Sequence, residues 1–371
     1  MFLKKIHIYI FFLFLVKLGY AYFIYSIYDL DFGKLIIGHD EYAWQDDTIF
    51  FYEHGLGFDA IKFGFSQPNS FETGGWPYLV GIFHVIFGLS YFNAIWVRMI
   101  LYFFAANSFF SLIIDADMGK KRATICVLFL TFYHPFVAAD ATYLRDDIIV
   151  YLIIILLWLS SVKDGIKRVF AISMFLFLFY ILTLTRPFAV LVFLSLYIFY
   201  FKFFKKVHLL FFIPFLVLIS ASGTNLFEYA YNFLITFNLT ISNILFSFIK
   251  FYFGPFPWNM FRLGGEYNPL WYAFTIACVV FCFFQKMFYQ ELTKNWLTFM
   301  ALFVSGFLPY AISHQDVDAI GPRQFAMIGP FLFLILYSKI FTSLRFDFDK
   351  VKLNEALTRV SNTYVKEDFT K

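Results

Sequence analysis

The sequence predicts an all-α, polytopic membrane protein, and three observations predict it. First, 61% of the 371 residues are hydrophobic and only 15% are charged, whereas a soluble domain is near half apolar and about one quarter charged. Second, long apolar runs recur from one end of the chain to the other. Third, most of the 29 Lys and Arg fall in alternate segments between those runs, the asymmetry of a chain threaded repeatedly through a bilayer.

The runs at 6–16, 99–114, 125–139, 148–160, 169–184, 188–204, 207–221, 270–284, 296–312 and 325–341 give about ten expected spans. Several have the roughly 17–25 residues that a crossing helix needs, and the shorter ones reach it with their flanks. The first follows Lys4 and Lys5 and continues through "FFLFLVKLGYAYFIYSIY" without a small-x-small cleavage site, so it reads as an uncleaved span. Lys17 lies inside it and needs a partner or must snorkel. The stretch "GGWPYLVGIFHVIFGLS" (74–90) is short and holds His84 and several Gly; it reads as a helix lying in the outer interface. With that stretch not crossing, the cation clusters "DMGKKR", "KDGIKR", "KFFKK" and "QKMFYQELTK" share one side with both termini. That side is the cytoplasmic one. The expected organisation is a transmembrane domain over 1–345, with long outer loops at 29–75 and 223–268. A cytoplasmic tail follows at 346–371, and there is no soluble domain and no internal repeat.

Cys126, Cys278 and Cys282 all fall in spans, which predicts neither a disulfide nor a cysteine metal site. His39, His54, His84 and His314 share no ligand spacing on one helix, which argues against a histidine zinc site. The net charge of +4 is carried in short loops and is no nucleic-acid signal.

The outer segments carry the chemistry. In "GHDEYAWQDDTIFF" (38–51), Asp40, Glu41, Asp46 and Asp47 lie within eight residues. Four acids at mid-bilayer would cost roughly 10 kcal/mol even on a lenient scale, so the stretch belongs in water or a polar cavity. "YLRDD" (143–147) places Arg145, Asp146 and Asp147 at one span mouth, and "TRP" (185–187) places Arg186 at another. "SHQDVDAIGPRQF" (313–325) adds His314, Asp316, Asp318 and Arg323. A carboxylate can act as general base toward a hydroxyl, and two can hold a divalent cation such as Mg or Mn, with Asp40 and Asp146 the candidates. Arginine forks at a membrane surface suit phosphate. Plainer readings stand beside these. Asp40 and Glu41 also read as a solvated loop. Asp46 and Asp47 read as loop solvation or helix N-terminal charge. Arg145 and Asp146 read as a local ion pair capping the next span, and Arg186 as an interface anchor.

The order of these parts resembles the GT-C superfamily of membrane glycosyltransferases. An acidic motif after the first span (Asp40-Glu41-Tyr42) precedes a Gly/Pro/aromatic interfacial segment ("GGWPYLVGIFHVIFG"). A span then begins near Arg98, and a basic inner turn ("GKKR") and a span ending near Pro135 follow. An outer Asp comes next (Asp146 of "LRDD"), and near the last spans "GPRQFAMIGP" matches an Arg followed by apolar residues and Pro. The similarity covers about 1–190 in order, plus 320–330. "RQ" replaces the common Arg-Tyr, and the large C-terminal outer domain of oligosaccharyltransferases has no counterpart. Bacterial surface-polysaccharide polymerases and capsule-cluster transferases are closer in size.

The resemblance implies an inverting transferase in a bacterial inner membrane. It would take sugar from a polyprenyl-phosphate or pyrophosphate donor at the extracytoplasmic face, with a glycan or lipid-linked acceptor, in O-antigen or capsule assembly. Asp40 is then the candidate base with Glu41 beside it. Asp146 is a helper or metal ligand, and Arg145, Arg186 and Arg323 are the phosphate binders. A repeat-unit polymerase is the alternative within the class, and a transporter or flippase for lipid-linked sugars is the alternative outside it. A flippase would be expected to spread charge through mid-span positions, whereas here the charge crowds the outer loops. A non-catalytic scaffold in a polysaccharide machine is the remaining reading.

Overall fold

The computed structural model describes residues 2–32, 40–57, 74–133, 140–141, 146–162, 165–186, 189–197, 280–281, 284–313 and 327–343. Among them every regular element is a helix. Three are long and apolar enough to cross a membrane: His7–Ile27, Phe92–Asp115 and Lys167–Thr185. Ten crossings are therefore not what the described residues display. The expected span 207–221 lies outside them, as does almost all of 270–284.

Helix α1 (Phe2–Ile27) is 26 residues long and extends well past the apolar run that announced it, because the aromatic stretch after Lys17 continues the helix. Its outer face is apolar and exposed, with Phe11, Phe12, Leu15, Tyr22 and Phe23 uncovered, as lipid contact would require. Helix α2 (Asp40–His54) starts on the acidic motif. Asp46 and Asp47 fall in its middle, Asp46 exposed and Asp47 half-buried. They are thus neither loop residues nor first-turn charges; the first turn belongs to Asp40 and Glu41.

Helix α3 (Gly75–Phe87) has 13 residues, about 20 Å at 1.5 Å per residue, too short to cross about 30 Å of hydrocarbon. Pro77 sits in its first turn, where its missing N–H costs nothing. Gly88 ends the helix at φ 85°, which glycine adopts freely. Asn93 then locks the corner by donating to the Gly88 carbonyl at 2.7 Å and to His84 Nδ1 at 2.9 Å. Helix α4 (Phe92–Asp115) returns from that corner, and a turn through Asp117 (φ 56°) and Gly119 (φ 86°) leads into α5 (Lys120–Phe132).

Helix α6 (Asp146–Ser161) is the centre of the bundle, buried without a break from Asp146 to Leu157, as expected of a helix apolar on all sides. It packs along α4 and along α7 (Gly165–Thr185). Helix α3 lies between α2 and α7. Gly75 makes the α3–α7 approach feasible, since a Cβ there would stand 2.3 Å from the Ile181 carbonyl oxygen and 2.5 Å from Thr185 Oγ1. Helix α8 (Ala189–Ser195) packs on α10 (Trp296–Ser313), joined by a Ser195–Ser305 hydrogen bond of 2.8 Å. Cys126 is buried and free.

The far end of the bundle is tied by the basic residues Arg122 and Lys339. The last described segment runs from α11 (Gly329–Leu332) through a π-helical turn (Phe333–Tyr337) into α12 (Ser338–Ser343). A π-turn displaces backbone carbonyls from their usual partners, and Arg122 of "GKKR" donates from Nη2 to the Leu334 carbonyl at 2.6 Å. Lys339 donates to Glu291 of α9 (Lys286–Lys294) at 2.5 Å.

Candidate functional site

Four helix ends meet at the opposite end of the bundle: the starts of α3, α4 and α6 and the end of α7. Each brings a residue that the chain pattern places there. Asp146 and Asp147 open α6, where the N-terminal dipole favours carboxylates. Arg98 lies in the second turn of α4, Trp76 in the first turn of α3, and Arg186 directly follows α7.

Arg98 Nε stands 3.0 Å from Asp147 Oδ2, with both side chains fully buried, and the guanidinium carbon lies 5.3 Å from the centre of the Trp76 ring. Arg186 Nη1 stands 3.7 Å from Asp146 Oδ1, and this pair keeps some contact with solvent, at 14% for Arg186 and 5% for Asp146. Adjacent aspartates thus serve two different arginines, one sealed and one reachable.

A third pair lies deeper. Lys17 Nζ binds both carboxylate oxygens of Asp140, with both residues buried. Ten residues separate Lys17 from the end of α1 at Ile27, about 15 Å along the axis. Asp140, in the connection between α5 and α6, therefore reaches toward the middle of a span. Lys17 also lies over the Tyr102 ring at 5.5 Å, and Tyr102 bonds Thr131 at 2.7 Å. The two sealed pairs feel each other, since Lys17 and Arg98 both act on the charge of Asp140 and of Asp147. Among the described residues, three cations face three carboxylates here, and charges this buried call for partners.

Of the residues singled out in the sequence, Asp146 and Arg186 are brought together. Asp40 and Glu41 form the first turn of α2, and their side chains lie outside the described residues. Arg145, Arg323, His314, Asp316 and Asp318 lie outside them as well. Arg98 and Arg186 each face an aspartate. Asp140 and Trp76 were not singled out. A sequence signal for Asp140 existed: a lone acid after the apolar "HPFVAA" is the natural complement of a lone lysine inside a span.

Asp146 is poorly suited to hold a divalent ion, because the Arg186 guanidinium already beside it would repel a second cation. Among the described residues no three His, Cys, Asp or Glu gather at metal-holding distance. His84, in the non-crossing α3, is pushed down to about 4 by burial, against a weaker opposing effect of its bond with Gly88, so it is neutral at pH 7 and accepts at Nδ1.

Comparison with family models, curated proteins and solved structures found no match to this chain.

Proposed function

We propose that the protein is a membrane glycosyltransferase that takes sugar from a polyprenyl-phosphate or pyrophosphate donor at the extracytoplasmic face of a bacterial inner membrane, in surface-polysaccharide assembly. The observation that carries the reading is Arg186, whose side chain keeps 14% exposure and stands 3.7 Å from the carboxylate of the buried Asp146, at a bundle end where the other described ion pairs are sealed. The reaction asks for a general base and for a cation that receives the leaving charge. A carboxylate, for which Asp40 is the candidate with Glu41 beside it, takes the proton of the acceptor hydroxyl. The acceptor oxygen then bonds to the anomeric carbon as the bond from that carbon to the phosphate oxygen breaks. Arginine receives the phosphate charge that develops on the leaving polyprenyl group, Arg186 here and Arg145 and Arg323 in the same role.

A second reading has an observation of its own. The Lys17–Asp140 pair is ionisable charge at mid-span, which is what a carrier of lipid-linked sugars places along its path. One experiment separates the two. The purified protein is reconstituted in liposomes with a polyprenyl-phosphate-linked sugar and a lipid-linked acceptor, and both covalent transfer and donor movement between leaflets are followed. Transfer that is lost in Arg186→Ala supports the enzyme. Donor movement without transfer in the wild type replaces it with the carrier.

A further inference from the structure

Contacts between four helix ends close into a ring that passes through the Arg186–Asp146 pair. From Asp147 on α6 the ring crosses to Arg98 on α4 at 3.0 Å. It continues from Arg98 to Trp76 on α3 at 5.3 Å. Gly75, next to Trp76, is pressed on the last turn of α7 at Ile181 and Thr185. Arg186 follows Thr185 and returns the ring to α6 through Asp146 at 3.7 Å. We propose that Asp147, Arg98, Trp76 and Gly75 are positioning residues for Arg186: they hold the end of α7, and with it the reachable guanidinium, against the first turn of α6. Their role in donor use rests on the glycosyltransferase reading, whereas the mechanical link does not.

The physical argument starts from freedom. An arginine side chain has many rotamers to lose when it grips an anion, and Arg186 stands just beyond its helix, tied back by its N–H to the Leu182 carbonyl at 2.9 Å. A guanidinium so placed aims reproducibly only if the helix end below it is held. The ring supplies a fixed reference because Arg98 and Asp147 are wholly buried and cannot trade each other for water. Arg98 is chemically suited to its place in a way Lys is not: its spread guanidinium charge stands near Asp147 and over Trp76 at once. The close seat of α3 on α7 needs a residue without a side chain, and Gly75 is that residue.

Hydrogen exchange read by mass spectrometry on the full chain in lipid nanodiscs tests the link without any assay of activity. Arg98→Lys keeps the charge and loses the broad guanidinium, and Trp76→Phe weakens the cation–π contact and leaves part of the buried Trp76 volume empty. The expected result is exchange about two- to thirtyfold faster over residues 182–189, the factor that loss of a cation–π contact carries, with residues 329–343 unchanged. Arg122→Lys, at the other end of the bundle, should do the reverse. Unchanged exchange over 182–189 in both ring variants, or a rise spread evenly along the chain, overturns the proposal. The donor KM is then measured in the same variants and should rise more than kcat falls. A KM equal to wild type alongside loosened 182–189 removes the positioning role. If the wild type transfers no sugar at all, the glycosyltransferase reading fails while the exchange result still decides the ring.

Discussion

Lys17 of α1 and Asp140 of the α5–α6 connection form an ion pair buried on both sides, with Nζ against both carboxylate oxygens and the Tyr102 ring 5.5 Å away. The pair fastens the helix with the most exposed apolar face to the centre of the bundle. Breaking a buried pair from one side leaves an uncompensated charge and costs about 3–5 kcal/mol, whereas removing both partners is often close to neutral. Lys17→Met and Asp140→Leu should each lower thermal stability in detergent sharply, and the double variant should recover most of the loss. A double variant as unstable as the sum of the singles would show that the two side chains do not act on each other. A stable double variant that is inactive would place the pair in function and not only in folding.

Two glycines give a steric contrast. A Cβ at Gly75 meets α7 backbone at 2.3 Å, while one at Gly19 meets nothing within 4 Å. Gly75→Ala should destabilise by about 1–3 kcal/mol, the usual cost of overpacking. Gly19→Ala, inside α1, should be neutral or stabilising by up to about 1 kcal/mol. Equal effects measured by unfolding in detergent would refute the close α3–α7 contact.

His84 predicts a pH dependence of stability. Its folded value of about 4 lies below the ordinary 6.5 because burial disfavours the charged ring. Between those values the unfolded chain binds a proton that the folded chain refuses. Stability is therefore full above pH 6.5 and declines as pH falls toward 4. His84→Gln keeps an acceptor for Asn93 and cannot titrate, so the decline in melting temperature over that window should shrink. An identical decline in the variant would assign it to other groups.

The arrangement of the chain in the bilayer is tested by single-cysteine labelling in a cysteine-free background. Asp46 is exposed on α2 and Lys121 is exposed at the start of α5, which makes both suitable positions; Gln45, beside the first, is buried and unsuitable. Position 46 should label from outside and position 121 only after permeabilisation. External labelling at 121 would reverse the sidedness and move the proposed site to the cytoplasm.

Asp40→Asn should leave insertion and stability near wild type and lower transfer by about 10²–10⁴, the worth of general-base assistance. Near-normal transfer would pass the role to Glu41.

The sequence alone determined that this chain is helical and membrane-like, because apolar periods and cation placement are local properties read along the chain. It also determined the two short motifs that supply residues which meet: the aspartates of "LRDD" open α6, and Thr185 of "TRP" ends α7 with Arg186 next to it. Partnership was decided only by the tertiary structure. Asp146 and Asp147 are adjacent along the chain, yet helix geometry turns them toward different neighbours, so one faces the reachable Arg186 and the other the sealed Arg98. Lys17 announced that it needed a partner, but 123 residues separate it from Asp140, and nothing local to either names the other. Trp76 likewise looked like an interface residue by composition and is instead wholly buried over Arg98. A buried charge must be paired, and the sequence states that need; which carboxylate answers it depends on how the helices pack.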